Sequence, residues 1–301
     1  MFFMDAHTEL RLTNKTYLKA VQLYVWEAYQ MDNLGSDLST KAFLGSARKT
    51  VRAKIRANDE GILAGMQEAS WLLKKLKVKV VRAKKDGAKL QKGEYFLEIE
   101  GRASTILGLE RTLLNMLQRM SGVATKTKKL SSKMPRGVKL LATRKTLWGL
   151  LDKRAVTLGG GGTHRLNLGD AILIKENHVA LAANLKRSLK KTFKQLGKVR
   201  FVEIELESPK EVEGFLSLYE KLKKYLRKGE KIVVMLENFT PSQVKEVVKS
   251  LRREGMLIEL SGGISERNVA RYNIAGVSAV SSGAITTQAT CLDFSLQVVD
   301  K

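Results

Sequence analysis

The chain has 301 residues, 44% of them hydrophobic, which supplies a large core and excludes a globally disordered protein. Its single cysteine, Cys291, excludes an intramolecular disulfide or a cysteine metal cluster, and no apolar run approaches the roughly 18 residues of a transmembrane helix. Lys and Arg outnumber Asp and Glu by 54 to 30, a formal +24 that suits polyanionic substrates, nucleic acid or simply a solvated cationic surface.

The opening MFFMDAHTEL has neither a basic start nor a long apolar stretch, so no export signal is expected, and a reducing, cytoplasmic setting is. Residues 16–31 carry apolar side chains at helical spacing. After Trp71, the runs at 78–81 and 95–100 alternate like half-buried strands, with Asp86-Gly87 and Lys92-Gly93 as turns. Residues 105–120 read as a helix, followed by a basic stretch that ends at Pro135.

Beyond Pro135 the rhythm changes. Apolar runs at 138–142, 171–174, 201–206, 232–237, 256–260 and 277–282 alternate with amphipathic segments, the pattern of parallel strands joined by crossover helices. Ser208-Pro209 with Glu211, and Thr240-Pro241 with Gln243, predict helix starts. Gly229 and Gly255 are placed as helix terminators. In 186–200 the apolar Leu189, Phe193 and Leu196 recur at helical spacing and leave the lysines on a wet face; aromatic residues, 6% of the chain, do not interleave with them, so nucleic acid is not expected as a partner.

Nearly every strand delivers polar groups at its C-terminal end, where the active sites of (β/α) barrels lie. Arg144 and Lys145 follow the first, Lys175 and His178 the second, and Glu203 and Glu205 share one face of the third. Glu237 closes the fourth, and glycine-led turns at Gly262-Gly263 and Gly283 follow the last two, suited to a phosphate cradle. Gly159 to Gly162 lead into His164 and Arg165, and between such cations they are expected to let the backbone close around an anion. Arginine suits carboxylates and lysine suits phosphate, so the site calls for a sugar phosphate and a second, carboxylate-bearing substrate. Carboxylates among so many cations also fit an ion-pair network, Mg²⁺, ribose hydroxyls or a developing positive charge.

Blocks at 31–40, 84–101, 110–125, 143–146, 159–178, 202–206, 235–244, 260–264 and 276–286, in this order, resemble the quinolinate phosphoribosyltransferase family. The resemblance implies an incomplete (β/α) barrel with an N-terminal open-faced α/β sandwich, the type II phosphoribosyltransferase fold. The expected domains are 1–115, completed by the tail at 288–301, and 116–287. It implies the condensation of quinolinate with phosphoribosyl pyrophosphate and Mg²⁺, releasing pyrophosphate and CO₂ and yielding nicotinate mononucleotide. It also implies a homodimer with shared active sites, hexamers being a further level of assembly left open.

Position by position, Arg111 resembles the arginine that enters the partner's site, and Arg144, His164 and Arg165 resemble the quinolinate clamp. Lys145 and Lys175 resemble ligands of phosphates and leaving group, Glu205 and Glu237 the carboxylates near ribose and metal, and Ser261, Gly262, Gly263 and Gly283 the 5′-phosphate cradle. The chain departs from the family pattern at Ala142, at Leu147-Trp148-Gly149, at Glu237 in place of aspartate, and at Thr287-Gln288, where a histidine is usual. These departures keep two alternatives in view: a phosphoribosyltransferase for another aromatic carboxylate, and a non-catalytic RNA-binding paralogue.

Overall fold

The structure is a computed structural model that describes residues 4–34, 37–45, 49–226, 232–253 and 256–299. Gly229 and Gly255, read as helix terminators, and part of the 31–40 block lie outside the described residues. The chain forms two compact units. One holds the described residues within 7–128, 146–160 and 288–299; the other holds 4–6, 129–145 and 161–287. The boundary expected at 115/116 falls inside a single helix, Ala103–Ser131, which also runs through the basic stretch expected to lie beyond the helix. Leu109, Leu113, Met116, Leu117, Met120 and Val123 continue one buried stripe along it, and nothing in the sequence breaks the helix before Ser131.

In the first unit a four-stranded antiparallel sheet runs in the order Phe294–Val299, Thr50–Ala57, Tyr95–Arg102, Lys79–Ala83. The tail strand pairs Arg52 with Val299 and Ala57 with Phe294. Strand Lys79–Ala83 is exposed along its whole length rather than half-buried, because it is the edge of this sheet. Gly87 and Gly93 adopt positive φ at the expected turns.

Residues 15–32 are helical throughout, capped by Asn14, whose side chain accepts the N–H groups of Thr16 and Tyr17. This segment is tied down by a buried network: the Tyr17 hydroxyl donates to Glu68 at 2.6 Å, and Arg154 lies 3.2 Å from Glu68 and 3.1 Å from Asp86. Burial pushes the Glu68 carboxyl above the ordinary carboxylate range. Asp152, fully buried, receives Arg119 and the N–H groups of Leu147 and Trp148, and Trp148 stacks on Tyr24. The Leu147-Trp148 departure is thus built into a packed turn.

The other unit is an open sheet of six parallel strands. Their spatial order is Lys139–Leu141, Ala279–Ser281, Leu257–Ser261, Ile232–Glu237, Val202–Leu206, Ile172–Ile174. The first and last are edges, so this is an incomplete barrel. Every residue of Val202–Leu206 is buried, as both faces of a parallel strand require. Leu141, Phe201, Val233 and Ala279 form an apolar floor that Met4 joins. Ser208 and Thr240 cap their helices as the sequence predicts, Thr240 with the reciprocal bond from its N–H to Gln243.

Close packing requires glycine at 159 and 162. A Cβ on Gly159 would lie 2.3 Å from the Ala124 carbonyl oxygen, and one on Gly162 would lie 2.7 Å from the Leu141 side chain. Helix Ala103–Ser131 holds a similar contact at Gly122, where a Cβ would meet the Thr290 carbonyl oxygen at 2.1 Å. Gly122→Ala is therefore expected to lower stability by about 1–3 kcal/mol through overpacking against backbone, read as a fall in Tm. An unchanged Tm would show that the tail yields freely.

Candidate active site

The C-terminal ends of the six parallel strands open on a cavity of about 320 Å³. It is lined by Thr143, Arg144, Lys145, His164, Arg165, Leu173, Lys175, Glu205, Met235, Glu237, Ser261 and Ser281. Strand geometry explains the convergence: Glu205, Glu237, Ser261 and Ser281 are terminal residues of neighbouring strands, or one removed, and in-register parallel pairing sets Ser261 beside Glu237. Lys175 precedes the short helix Glu176–Ala180, and its N–H is accepted by His178 Nδ1 at 3.0 Å. His178 therefore acts as a local cap and does not line the cavity.

Cations crowd one side of the cavity. Arg165 is only 8% exposed, and its guanidinium is held below its ordinary value first by burial and then by the like charge of Arg144. Such a pair is stable only with anions nearby. Lys175 donates to Glu205, which takes up part of the charge; burial nonetheless keeps the Glu205 carboxyl above its ordinary range, with Glu237 adding repulsion. Glu205 and Glu237 are the two carboxylates that face the opening.

Beneath them lies a layer in which the sequence reading singled out Glu203 and His164 but not Glu259. Glu203 and Glu259 are fully buried on Val202–Leu206 and Leu257–Ser261, and Nε2 of His164 is 3.0 Å from Glu203 and 3.5 Å from Glu259. Desolvation pushes both carboxyls up to about 8, so this pair keeps a proton at neutral pH. Glu259 had one available signal, a charged residue in the middle of the otherwise apolar run MLIEL. Ser281, Thr143 and Met235 had no signal beyond their places at strand ends.

Among the described residues, three non-glycine residues have positive φ, and two are here: His164 at 52° and Asn238 at 58°. Asn238 donates its N–H to the Ser261 carbonyl, and Gly262 packs against it so closely that a Cβ would lie 2.2 Å from Asn238 Oδ1. Gly263 has open space around its Cβ position, whereas Gly283 faces the Lys145 side chain at 3.2 Å. The two glycine turns are joined by Ser282, whose hydroxyl donates to the Ile264 carbonyl at 2.6 Å. Thr286 donates to the Lys145 carbonyl at 2.6 Å and fixes that turn as well. Arg111, by contrast, is exposed on helix Ala103–Ser131 and is not among the cavity-lining residues.

A family model described as "Quinolinate phosphoribosyl transferase, N-terminal domain" matches residues 37–121, and "Quinolinate phosphoribosyl transferase, C-terminal domain" matches 123–297. The chain belongs to this family. It is 34% identical to a probable nicotinate-nucleotide pyrophosphorylase [carboxylating] of Methanothermobacter thermautotrophicus, over 87% of this chain and 93% of that protein. It is also 34% identical to a quinolinate phosphoribosyltransferase [decarboxylating] of Nicotiana tabacum, over 88% of this chain and 78% of that one. Among solved structures, the nicotinate-nucleotide pyrophosphorylase from Francisella tularensis superposes with a TM-score of 0.80 at 30% identity, covering 93% of this chain and 96% of that one. The open six-stranded parallel sheet is thus the barrel of a quinolinate phosphoribosyltransferase fold. No helix among the described residues is long and apolar enough to cross a membrane.

The raised carboxyls of the buried layer fix a pH dependence. A free glutamate titrates near ~4.3, so between there and about 8 the folded family member binds more protons than the unfolded chain, and stability falls as pH rises through that window. Glu203→Gln removes one titrating partner. Thermal unfolding of wild type and variant from pH 5 to 9 is expected to show a shallower fall in the variant; parallel curves would contradict a shared buried proton.

Proposed function

We propose that the cavity transfers a phosphoribosyl group from phosphoribosyl pyrophosphate to quinolinate, yielding nicotinate mononucleotide, CO₂ and pyrophosphate. The observation that carries this reading is the Arg144–Arg165 pair, two like charges packed together at the mouth of the cavity with Lys145 and Lys175 beside them. Quinolinate bears two adjacent carboxylates, and forked guanidinium groups bind carboxylates bidentately. Lys145 and Lys175 take the phosphates, and the turns at Ser261-Gly262-Gly263 and Gly283 take the 5′-phosphate through backbone N–H groups.

The quinolinate nitrogen attacks the anomeric carbon as the bond to pyrophosphate breaks, so positive charge develops on the ribose. Glu205 and Glu237, on adjacent strands and facing the same cavity, stabilise that charge. Their hard oxygens also fit Mg²⁺, which when bound with the donor supplies charge neutralisation at the diphosphate. Ribosylation makes the ring a pyridinium; the carboxylate next to nitrogen then leaves as CO₂, its electron pair stays on the ring carbon, and that carbon takes a proton. We place this chemistry in the cytoplasm and in a homodimer where Arg111, exposed on a helix whose apolar stripe points elsewhere, enters the partner's cavity.

Arg144→Ala and Arg165→Ala are each expected to weaken quinolinate binding by about 1.5–3 kcal/mol, the worth of a charge-assisted hydrogen bond, with the fold intact. Quinolinate KM and circular dichroism check this; an unchanged KM removes the residue from the clamp. Glu237→Gln should reduce kcat more than Glu237→Asp, because the charge matters more than one methylene. For Arg111, inactive Arg111→Ala and Lys145→Ala homodimers are mixed and allowed to exchange subunits. Heterodimers then carry one doubly lesioned site and one intact site, and activity should return. Verified heterodimers without activity would show that Arg111 does not act in trans.

A further inference from the structure

The clamp assigned to Arg144, His164 and Arg165 asks each side chain for a donor aimed at the substrate. His164 does not offer one. Its Nδ1 accepts the backbone N–H of Arg165 at 2.7 Å. An acceptor nitrogen carries no proton, so a neutral ring holds its proton on Nε2. Nε2 is buried and lies 3.0 Å from Oε2 of Glu203 and 3.5 Å from Oε1 of Glu259. Both ring nitrogens therefore face protein groups, Nδ1 the Arg165 backbone and Nε2 the two carboxyls.

The ring is held this way from several sides. His164 is 5% exposed and adopts φ 52°, a left-handed backbone uncommon outside glycine, in which asparagine, aspartate and histidine are the side chains most often found. Its carbonyl receives the Thr163 hydroxyl at 2.8 Å and Arg200 Nη2 at 3.0 Å, and Arg200 is itself anchored to Asp170. Phe201 meets the ring edge-on at 5.3 Å between centroids. Strain of this kind persists only where the surroundings over-determine it, and here they do.

We propose that Glu203 and Glu259 are positioning residues for the carboxylate clamp: they hold His164 by Nε2, and His164 holds the Arg165 backbone by Nδ1, so that the imidazole aims Arg165 and gives no nitrogen to the substrate. The two carboxyls act at one remove, as the outer partners of ligating histidines do in other sites. This role rests on the reading of the cavity as a quinolinate site only for its kinetic consequence. The contacts of the two ring nitrogens are themselves independent of the acceptor.

The experiment has a spectroscopic arm and a kinetic arm, both on the full chain. The sequence has three histidines, so ¹⁵N-histidine labelling gives few signals, which His7→Gln and His178→Gln assign. His164 should appear as the Nε2–H tautomer, and quinolinate at saturation should leave that tautomer in place. A Nδ1–H tautomer, or a new proton on Nδ1 when quinolinate binds, overturns the proposal. If the acceptor is not quinolinate, the free protein's tautomer still decides it.

In the kinetic arm, His164→Asn keeps an acceptor near the Nδ1 position and tolerates the left-handed backbone, whereas His164→Gly tolerates the backbone and has no acceptor. His164→Gly should raise quinolinate KM about tenfold more than His164→Asn does, the upper range for one lost neutral hydrogen bond, with donor KM moving alike in both. Glu203→Leu, which removes the acceptor for Nε2, should raise quinolinate KM in the same sense, and Glu203→Gln should restore most of it. Equal losses in His164→Asn and His164→Gly would show that the imidazole itself touches substrate, and equal donor and quinolinate effects would reduce the carboxyls to a general structural role. Where Glu203→Leu does not fold, the tautomer and the Asn–Gly pair decide.

Discussion

Charge that has been taken out of water must be compensated within a few ångströms, and the barrel unit is organised around that constraint. Glu203 and Glu259 have no exposure at all, and Arg165 has very little. The cations above and the carboxyls below make one another tolerable: Arg165 and Lys175 pull the Glu203 carboxyl down, while desolvation and Glu205 push it up. The balance leaves the carboxyl layer holding a proton and the mouth with an excess of positive charge. Such an excess of positive charge suits an anionic ligand, and guanidinium groups suit carboxylates.

Backbone geometry turns that balance into a shape. Parallel in-register strands bring alternate side chains to the same level, so Glu205, Glu237, Ser261 and Ser281 converge without any long loop. Loops appear only where the chain must come closer than a side chain permits. Gly262 against Asn238 is one such place, and the Ser282 bond to Ile264 stitches its turn to the one at Gly283. Because Thr286 also holds the Lys145 carbonyl, the glycine turns and the Lys145 turn form a single hydrogen-bonded assembly rather than three independent turns.

Much of this was legible in the sequence. Alternating apolar runs placed all six parallel strands, and the ordered motif blocks carried the family. The lysine-rich segment buries Leu189 and Phe193 as its spacing requires. What escaped had physical reasons. The packing need at Gly159 was not legible, because a glycine needed for close packing and one needed for a ligand are identical in sequence; the Ala124 carbonyl beside it shows the first. The buried Glu203 and Glu259 beside His164 were not legible together, because tertiary contacts bring them to its ring. Tyr225 was overlooked as an aromatic among the lysines, since it lies on a later element than Lys190, whose ammonium is 4.5 Å from its ring centroid.

The strand Phe294–Val299 has a consequence for how the protein is made. It pairs with residues 52–57 of Thr50–Ala57, which otherwise has only Tyr95–Arg102 as a neighbour. A ribosome delivers the early strands long before their late partner, so through most of synthesis Thr50–Ala57 presents an open edge of unpaired N–H and C=O groups. Such an edge is a template for pairing with another nascent chain. Of its three cations, Arg52 and Lys54 lie against Glu98 and Glu100 of the neighbouring strand, so the early sheet carries paired charge on its surface while that edge stays open. The tail strand thus does more than add a fourth strand: it covers the edge that the early part of the chain leaves open.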